Sequence, residues 1–146
     1  MGGISGSPNV GTGRVIPEDV WGILCINAEA RSEPYDGQVA VGNVIRNRMA
    51  KKFFSDGTVC STVTYRKQFS WMNDQDAQRS RVLAARWDES AMATAAKAWF
   101  ESEHHKVVGD ALLYHADYVA PYWAKANGIE LVCQIGRHLF YADSNR

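Results

Sequence analysis

The sequence predicts one α+β domain, with helices first and a small antiparallel sheet in the last third of the chain. Apolar residues recur at helical spacing up to about residue 104, and short segments rich in β-branched and aromatic residues follow them. A length of 146 residues, with 46% apolar and 22% charged residues, suits a single soluble domain. We place the catalytic domain at residues 16–146 and interpret residues 1–15, rich in Gly and Ser, as a flexible lead.

The first helix is predicted to begin at Pro17 and to end near Arg31 or Ser32. Proline suits the first turn of a helix, and the two acids that follow it favour the positive end of the helix dipole. The apolar face of this helix has four members at helical spacing: Trp21, Leu24, Cys25 and Ala28. Pro34 disfavours helical geometry in Glu33, so the helix should stop before it.

A second helix is predicted from Gly37 to about Lys51. Its periodicity predicts four inward residues: Val41, Val44, Ile45 and Met49. The same pattern predicts four outward residues: Asn43, Arg46, Asn47 and Lys51. Asp56-Gly57 then indicates a turn, and the β-branched residues of "TVCSTVTY" favour a short irregular strand.

The segment "RKQFSWMNDQD" is predicted to be a loop, although loops seldom expose large aromatic side chains without a reason. A helical region follows from about Ser80 to His104, broken near Trp87-Asp88, with Asp88 as an N-cap. Its inner stripe comprises Met92, Ala95, Ala96 and Trp99. After it, "DALLYHA" predicts a strand, "VAPYWAKA" a helical turn, and "IELVCQIGRHLFYA" two strands joined at Ile135-Gly136.

The overall charge excludes bulk attraction to nucleic acid, because 16 basic side chains balance 16 acidic ones. Residues 46–86 hold nine Lys or Arg against three Asp, which we interpret as a solvated face, with contact to an anionic polymer as the alternative. No apolar run is long enough to span a bilayer, and no secretory signal is visible at the N-terminus. We therefore expect a monomer that neither binds nucleic acid nor inserts into a membrane.

Metal and thiol chemistry are not indicated. The three cysteines, Cys25, Cys60 and Cys133, form no CxxC pair, and we expect free thiols that are mostly buried. Cys25 lies mid-helix on the apolar face, where packing explains it better than nucleophilic catalysis. The four histidines include no HExxH motif, so we expect no catalytic metal and no cofactor.

Glu29 is the candidate for catalysis, because it lies in the last turn of the first helix at the edge of its apolar stripe. Partial desolvation and the negative helix end both disfavour a carboxylate there, and so favour the protonated form that a general acid needs. The alternative is a surface glutamate paired with Arg31 or Arg48.

The stretch "NAEARSEPYDGQVAVGNVIRNR" resembles the signature of the spore-cortex-lytic enzyme family of cell-wall hydrolases, which includes phage lysins. Four further blocks match in order: "TVCSTV", "QFSW", "YHADYVAPYW" and "IGRHLFY". The resemblance extends from about Trp21 to Tyr141, nearly the whole predicted domain. Ser32 departs from the pattern, since the family usually has Gly at this position.

This resemblance implies a lysozyme-like fold, related to goose-type lysozymes and lytic transglycosylases, with a helical core and a small antiparallel sheet. It implies peptidoglycan glycan strands as substrate and partner, with Glu29 as the catalytic residue. The matched motifs also imply residues that line the groove: Gln68, Phe69, Ser70, Trp71, Tyr114, His115, His138 and Tyr141. For the aromatic residues and histidines among these, core packing is the alternative.

Two more residues are candidates from their place in the predicted helices. Glu33 is four residues after Glu29, but Pro34 bends the chain away, so we expect Glu33 to bind backbone amides of the following helix and orient the hinge. Gln38 shares the inner face of the second helix, where it would be a buried polar group or face the cleft.

No second catalytic acid is evident near Glu29, whereas glycosidases generally use two carboxylates. One carboxyl suffices for a lytic transglycosylase, which forms a 1,6-anhydro product, so we expect that reaction between N-acetylmuramic acid and N-acetylglucosamine. A hydrolytic muramidase of the same fold is the close alternative. A catalytically silent wall-binding or virion domain is the alternative from another class. The expected setting is the bacterial cell wall, reached as a phage endolysin or as a trimmed secreted enzyme.

Overall fold

The computed structural model of the protein describes residues 17–65 and 89–146. Within these residues, four helices come first: α1 Glu18–Ala30, α2 Tyr35–Lys51, α3 Val59–Thr64 and α4 Glu89–Glu101. Three strands follow: β1 Leu113–Ala116, β2 Ile129–Ile135 and β3 His138–Asp143, with a 3₁₀ turn at Tyr122–Lys125 between β1 and β2. The α+β prediction is confirmed. The predicted lead 1–15 and the predicted loop 66–76 lie outside the described residues.

The core of the helical part forms where α1, α2 and α4 meet around Trp99. The Trp99 side chain is fully buried, and its indole Nε1 donates a hydrogen bond of 2.8 Å to Asp19 Oδ1 on α1. A Cβ on Gly22 would lie 2.7 Å from the indole ring, so α1 approaches Trp99 more closely than any residue with a side chain permits. This contact sets the position of α1, the helix that carries Glu29.

The prediction that Asn43 and Asn47 point outward is wrong, since they are only 1% and 4% exposed. Asn43 Nδ2 donates to the carbonyls of Ser102 and His105, at 3.1 and 3.0 Å. Asn47 Nδ2 donates to the carbonyls of Gly109 and Ala111, both at 2.9 Å. Helix α2 is central, and its amide side chains satisfy the backbone of the segment that leads into the sheet.

Helix α2 also begins at Tyr35, two residues before the predicted start at Gly37. Pro34 is the residue that precedes its first turn, where a fixed φ near the helical value and a missing N–H are both tolerated. The end at Lys51 agrees with the prediction, and Lys52 closes the helix in a left-handed conformation with φ 53°. The bend between α1 and α2 is therefore four residues long, 31–34.

The predicted strand in "TVCSTVTY" is wrong, because residues Val59–Thr64 form helix α3. Thr58 caps this helix, with its hydroxyl accepting from Ser61 N at 3.1 Å. The Glu18 carboxylate, from the first turn of α1, accepts from Val59 N at 2.6 Å and from Cys60 N at 3.3 Å. A carboxylate at a helix N-terminus satisfies donors that have no partner within the helix, and this outweighs a weak β preference.

Helix α4 ends at Glu101, three residues before the predicted His104, and its described part begins at Glu89. Ala95 and Trp99 of the predicted inner stripe are buried, whereas Met92 and Ala96 are half-buried. The predicted break near Trp87-Asp88 lies outside the described residues. None of the described helices has the length and apolar character needed to cross a membrane.

The sheet has the strand order β1–β3–β2, with both pairs antiparallel and β3 in the centre. The strands and the helical turn predicted after residue 110 are confirmed. Phe140 of β3 is fully buried against Ala40 and Val44 of α2, which joins the sheet to the helices. None of the three cysteines forms a disulfide, as predicted, and Cys25 and Cys60 are buried while Cys133 is half-buried.

Candidate active site

A cavity of about 990 Å³ lies where the helices meet the sheet. Four elements contribute polar side chains to it: Glu29 from α1, Arg48 from α2, Tyr114 and His115 from β1, and His138 from β3. Its volume is at the upper end of the range of ligand-binding sites, which suits a substrate larger than one sugar ring. Four of the predicted groove residues lie in the described part of the chain, and three of them, Tyr114, His115 and His138, share this cavity with Glu29.

Glu29 is half-buried in the last turn of α1, where it accepts a hydrogen bond from the hydroxyl of Tyr114. The Tyr114 oxygen lies 2.6 Å from Glu29 Oε1. Burial raises the pKa of the Tyr114 hydroxyl well above its usual value, and the negative charge of Glu29 raises it further. Tyr114 therefore keeps its proton at neutral pH and acts as a donor that holds one oxygen of the carboxyl in place.

Arg48 brings a buried positive charge to the same cavity, with only 3% of its surface exposed. Its Nε donates to the Leu112 carbonyl at 2.7 Å, just before β1. Burial lowers the pKa of Arg48 to about 10, while the negative charge of Glu29 acts against that shift. Because Arg48 is buried, a surface pair with Glu29, the alternative considered from sequence, does not describe this arrangement.

His115 and Tyr141 form a stacked pair beside the cavity, with ring centroids 5.3 Å apart. His115 Nδ1 lies 2.7 Å from the Ala116 carbonyl, which only accepts, so Nδ1 carries the hydrogen. In the neutral imidazole, Nε2 then accepts from the Tyr141 hydroxyl at 2.8 Å. Trp123 meets both rings edge-on, at 5.7 and 5.4 Å. Tyr141 is buried and lies behind His115, outside the cavity lining.

His138 is buried to 8% exposure, and its ring centroid lies 5.0 Å from that of Tyr114. Burial lowers the pKa of His138, while the carboxylates of Glu33 and Glu29 act in the opposite direction. Its Nδ1 has no hydrogen-bond partner among the described residues. A neutral imidazole next to Tyr114 therefore forms part of the cavity wall.

Glu33 was predicted to bind backbone amides of the following helix. It does bind a backbone amide, but that amide belongs to the β2–β3 hairpin. Its Oε1 accepts from Arg137 N at 2.8 Å, in the turn between β2 and β3. A Cβ on Gly136 would collide with this carboxylate and lie 2.7 Å from Pro34 Cδ. Glu33 and Pro34, which follow Glu29 in the chain, therefore contact the β2–β3 turn, although Glu33 itself does not line the cavity.

Gly136→Ala is expected to destabilise the protein more than Gly109→Ala does. Both glycines have left-handed backbones, with φ 57° and 54°, so both substitutions carry a strain of about 1–2 kcal/mol. A Cβ on Gly109 meets nothing within 4 Å, whereas one on Gly136 meets Glu33 and Pro34. Denaturant unfolding of the two variants measures the difference in the free energy of unfolding. Equal losses would mean that Glu33 and Pro34 move aside for the added Cβ without loss of stability.

Gln38 and the residues of the "QFSW" block are the remaining predicted site residues. Gln38 is 5% exposed and does not line the cavity, and its Nε2 makes only a long contact of 3.4 Å with the Glu33 carbonyl. The residues predicted from the "QFSW" block lie outside the described residues: Gln68, Phe69, Ser70 and Trp71. Their contribution to the groove stays a prediction.

Sequence reasoning missed several residues that line the cavity. They are mainly large side chains: Arg48, Phe53, Phe54, Tyr118, Tyr122 and Trp123. The last three lie in the block "YHADYVAPYW", which places aromatic residues between two strands. Tyr118 and Tyr122 carry the same signal in the sequence as Phe69 and Trp71, because aromatic side chains between regular elements seldom lie exposed without a reason.

No group of three or more His, Cys, Asp or Glu side chains is arranged to hold a metal ion within residues 17–65 and 89–146. The polar groups that the cavity does bring together are suited to proton transfer. One carboxyl, Glu29, is held by a phenol and lies near a buried guanidinium, in a space that is walled in part by aromatic rings.

The chain is similar to known proteins in sequence and in structure. A family model described as Cell Wall Hydrolase matches residues 32–141. The spore cortex-lytic enzyme of Oceanobacillus iheyensis is 37% identical over 90 residues, which are 51% of this chain and 32% of that protein. The chain thus spans about a third of the length of this curated relative.

Two solved structures are similar over nearly the whole chain. The catalytic domain of the germination-specific lytic transglycosylase SleB from Bacillus anthracis has a TM-score of 0.69 and 26% identity, and the match covers 91% of this chain and all of that one. The catalytic domain of the Bacillus cereus SleB protein has a TM-score of 0.68 and 27% identity, covering 94% and 99% of the two chains. The similarity extends to the sheet as well as the helices.

Proposed function

The chain belongs to the cell wall hydrolase family, and from that premise we propose that it degrades peptidoglycan by cleaving the glycan strand between N-acetylmuramic acid and N-acetylglucosamine. The observation that carries the proposal is the Glu29 carboxyl, which lies in a cavity of about 990 Å³ and is held by the Tyr114 hydroxyl. The likeness to the lytic transglycosylase catalytic domain supports the same chemistry.

Glu29 is the general acid of the proposed reaction. Because the Tyr114 hydroxyl donates to Oε1, the proton of the neutral carboxyl is carried on Oε2. Oε2 gives this proton to the glycosidic oxygen as the bond from that oxygen to C1 of the muramic acid breaks. The leaving sugar departs as a neutral alcohol, and Glu29 is left as a carboxylate, with the positive charge of Arg48 nearby.

The second half of the reaction needs no water. The Glu29 carboxylate takes the proton of the C6 hydroxyl of the same muramic acid, and O6 bonds to C1, which closes a 1,6-anhydro ring. The nucleophile belongs to the bound sugar, so the reaction gains the advantage of an intramolecular step. Glu29 returns to its protonated form, and the net change is the exchange of the glycosidic bond at C1 for a bond from C1 to O6, which leaves one fragment with an anhydro end and the other with a free hydroxyl.

The other carboxylate among the described cavity-lining residues is Asp143, at the end of β3. Its two oxygens are engaged, one with Asn145 N at 2.9 Å and the other with Arg146 Nε at 3.4 Å. Hydrolysis with retention uses a second carboxylate about 5–5.5 Å from the acid, ready to attack C1. Because both oxygens of Asp143 contact neighbouring residues of the chain, the mechanism with a single carboxyl is favoured.

The proposed setting is the bacterial cell wall, with a monomer acting on the polymer. An endolysin and a trimmed secreted enzyme need the same chemistry, and both would act on exposed glycan strands.

The test is digestion of purified peptidoglycan in water enriched in heavy oxygen, with product masses read by mass spectrometry. The proposal expects muropeptides with anhydro ends that carry no label, because no solvent water enters the product. Products heavier by one labelled water would make the protein a muramidase instead. The Glu29→Gln variant in the same digestion shows the background from the wall preparation.

A further inference from the structure

Two tyrosines near the cavity expose their rings far more than other large apolar side chains. Tyr118 is 77% and Tyr122 is 94% exposed, whereas the other exposed aromatic residues of the described part, Phe54, Tyr65 and Phe100, are between 39% and 48%. Both tyrosines line the same cavity as Glu29. A ring that is left in water next to a binding site is a mark of a surface that awaits a ligand.

The backbone beneath these tyrosines is firmly held. Asp117 N donates to the Arg137 carbonyl at 2.7 Å, and Val119 N donates to the Ala116 carbonyl at 3.0 Å. Trp123 fixes the other end, because its ring packs edge-on against His115 and Tyr141. The exposed rings therefore sit on an ordered support.

We propose that Tyr118 and Tyr122 form a platform that binds sugar residues of the glycan strand beyond those at Glu29, so that the enzyme prefers long strands to short fragments. The inference rests on the proposed function and adds a substrate preference to it. Pyranose rings present flat faces of C–H groups, and an exposed aromatic ring gains by covering such a face. A polymer cut in the middle must leave the cavity on both sides, and the platform is continuous with it.

Charge near the platform also fits a neutral, hydroxyl-rich ligand. Arg137 lies over the Tyr118 ring, with Cζ 5.7 Å from the centroid, and its Nε lies 3.9 Å from Asp117 Oδ1. The charges of Arg137 and Asp117 balance each other, so this pair gives no net attraction to an anionic surface. Binding must come from the rings and from hydrogen bonds to sugar hydroxyls.

The test compares the wild type with a variant carrying both Tyr118→Ala and Tyr122→Ala on two substrates, long glycan strands and a soluble tetrasaccharide fragment of the same wall. The expected result is a rise in KM of about tenfold on long strands relative to the fragment, corresponding to about 1.4 kcal/mol. Replacing both tyrosines by Phe should restore the preference, since the flat rings remain. Phe100→Ala removes an exposed ring of α4 outside the cavity lining and is the control.

A binding assay separates this inference from the proposed function. Glu29→Gln protein is mixed with insoluble peptidoglycan and sedimented, with and without the two Tyr→Ala substitutions. Weaker sedimentation of the Tyr variant supports the platform even if the wild type releases no product, a result that would refute only the proposed cleavage. Equal sedimentation and equal KM ratios would overturn the platform. The platform would also be overturned if the Tyr variant still sedimented with peptidoglycan but lost binding to phospholipid vesicles, because the tyrosines would then be a membrane contact.

Discussion

Glu29→Gln is expected to lower the rate of peptidoglycan cleavage by about 10²–10⁴-fold, the range attributed to a positioned general acid. An amide has nearly the shape of a carboxyl, and its oxygen can still accept from the Tyr114 hydroxyl. It cannot give a proton to the glycosidic oxygen, so the bond breaks only with an unprotonated leaving group. The loss should lie in kcat, since binding contacts are unchanged. Clearing of wall suspensions and release of muropeptides both measure it.

The matched control is Glu130→Gln, which removes the same charge from an exposed position on β2 outside the cavity lining. That variant should clear walls at the wild-type rate and unfold at the wild-type denaturant concentration. Equal clearing by the wild type and the Glu29→Gln variant would refute the enzyme proposal. The domain would then be a wall-binding module that kept the groove without the chemistry.

Trp99→Ala is expected to destabilise the protein by about 3–5 kcal/mol, in the range for loss of a large buried aromatic side chain. Besides its packing against Gly22, the ring donates to Asp19 and lies 3.7 Å from the Arg46 guanidinium carbon. Total stabilities of small domains are about 5–15 kcal/mol, so most of the protein's margin would be lost. Urea unfolding followed by circular dichroism measures the change.

Phe100→Ala gives the comparison on the same helix, because the neighbouring ring is 48% exposed and outside the core of buried residues. That change should cost less than about 1 kcal/mol. Trp99→Phe keeps most of the ring and loses the bond to Asp19, so it should fall between the two and remain folded if the alanine variant does not. A Trp99→Ala loss as small as that of Phe100→Ala would contradict the central place given to this residue.

The order of helices and strands could be predicted because each depends on short-range patterns. Pro17 precedes α1, Pro34 precedes α2, and Gly136, with φ 57°, separates two strands. The failures share a physical cause, which is a partner distant in sequence. Helix α3 receives its N-terminal acceptor from Glu18, 41 residues earlier. Asn47 is buried because carbonyls more than 60 residues later need its amide.

The candidate site divides in the same way. Glu29 could be predicted from its place at a helix end and from the blocks of sequence around it, because both are local. Arg48 could not, because its burial depends on the carbonyl of Leu112, 64 residues away. Tyr114 was predicted as a groove residue, yet its hydrogen bond to Glu29 joins residues 85 apart. Sequence patterns find candidate side chains, and only the assembled fold says which of them touch.

The bond from Glu33 to the backbone of Arg137 joins residues 104 apart in sequence, and it begins only four positions after the acid. During synthesis, helices α1 and α2 therefore leave the ribosome long before the β2–β3 turn, whose backbone Glu33 binds, has been made. Until that turn has been made, the nascent chain carries Glu29 without the part of the cavity wall that the sheet supplies. The capacity to damage a cell wall would thus arise only after β3 has left the ribosome and the β2–β3 hairpin has docked on the helices.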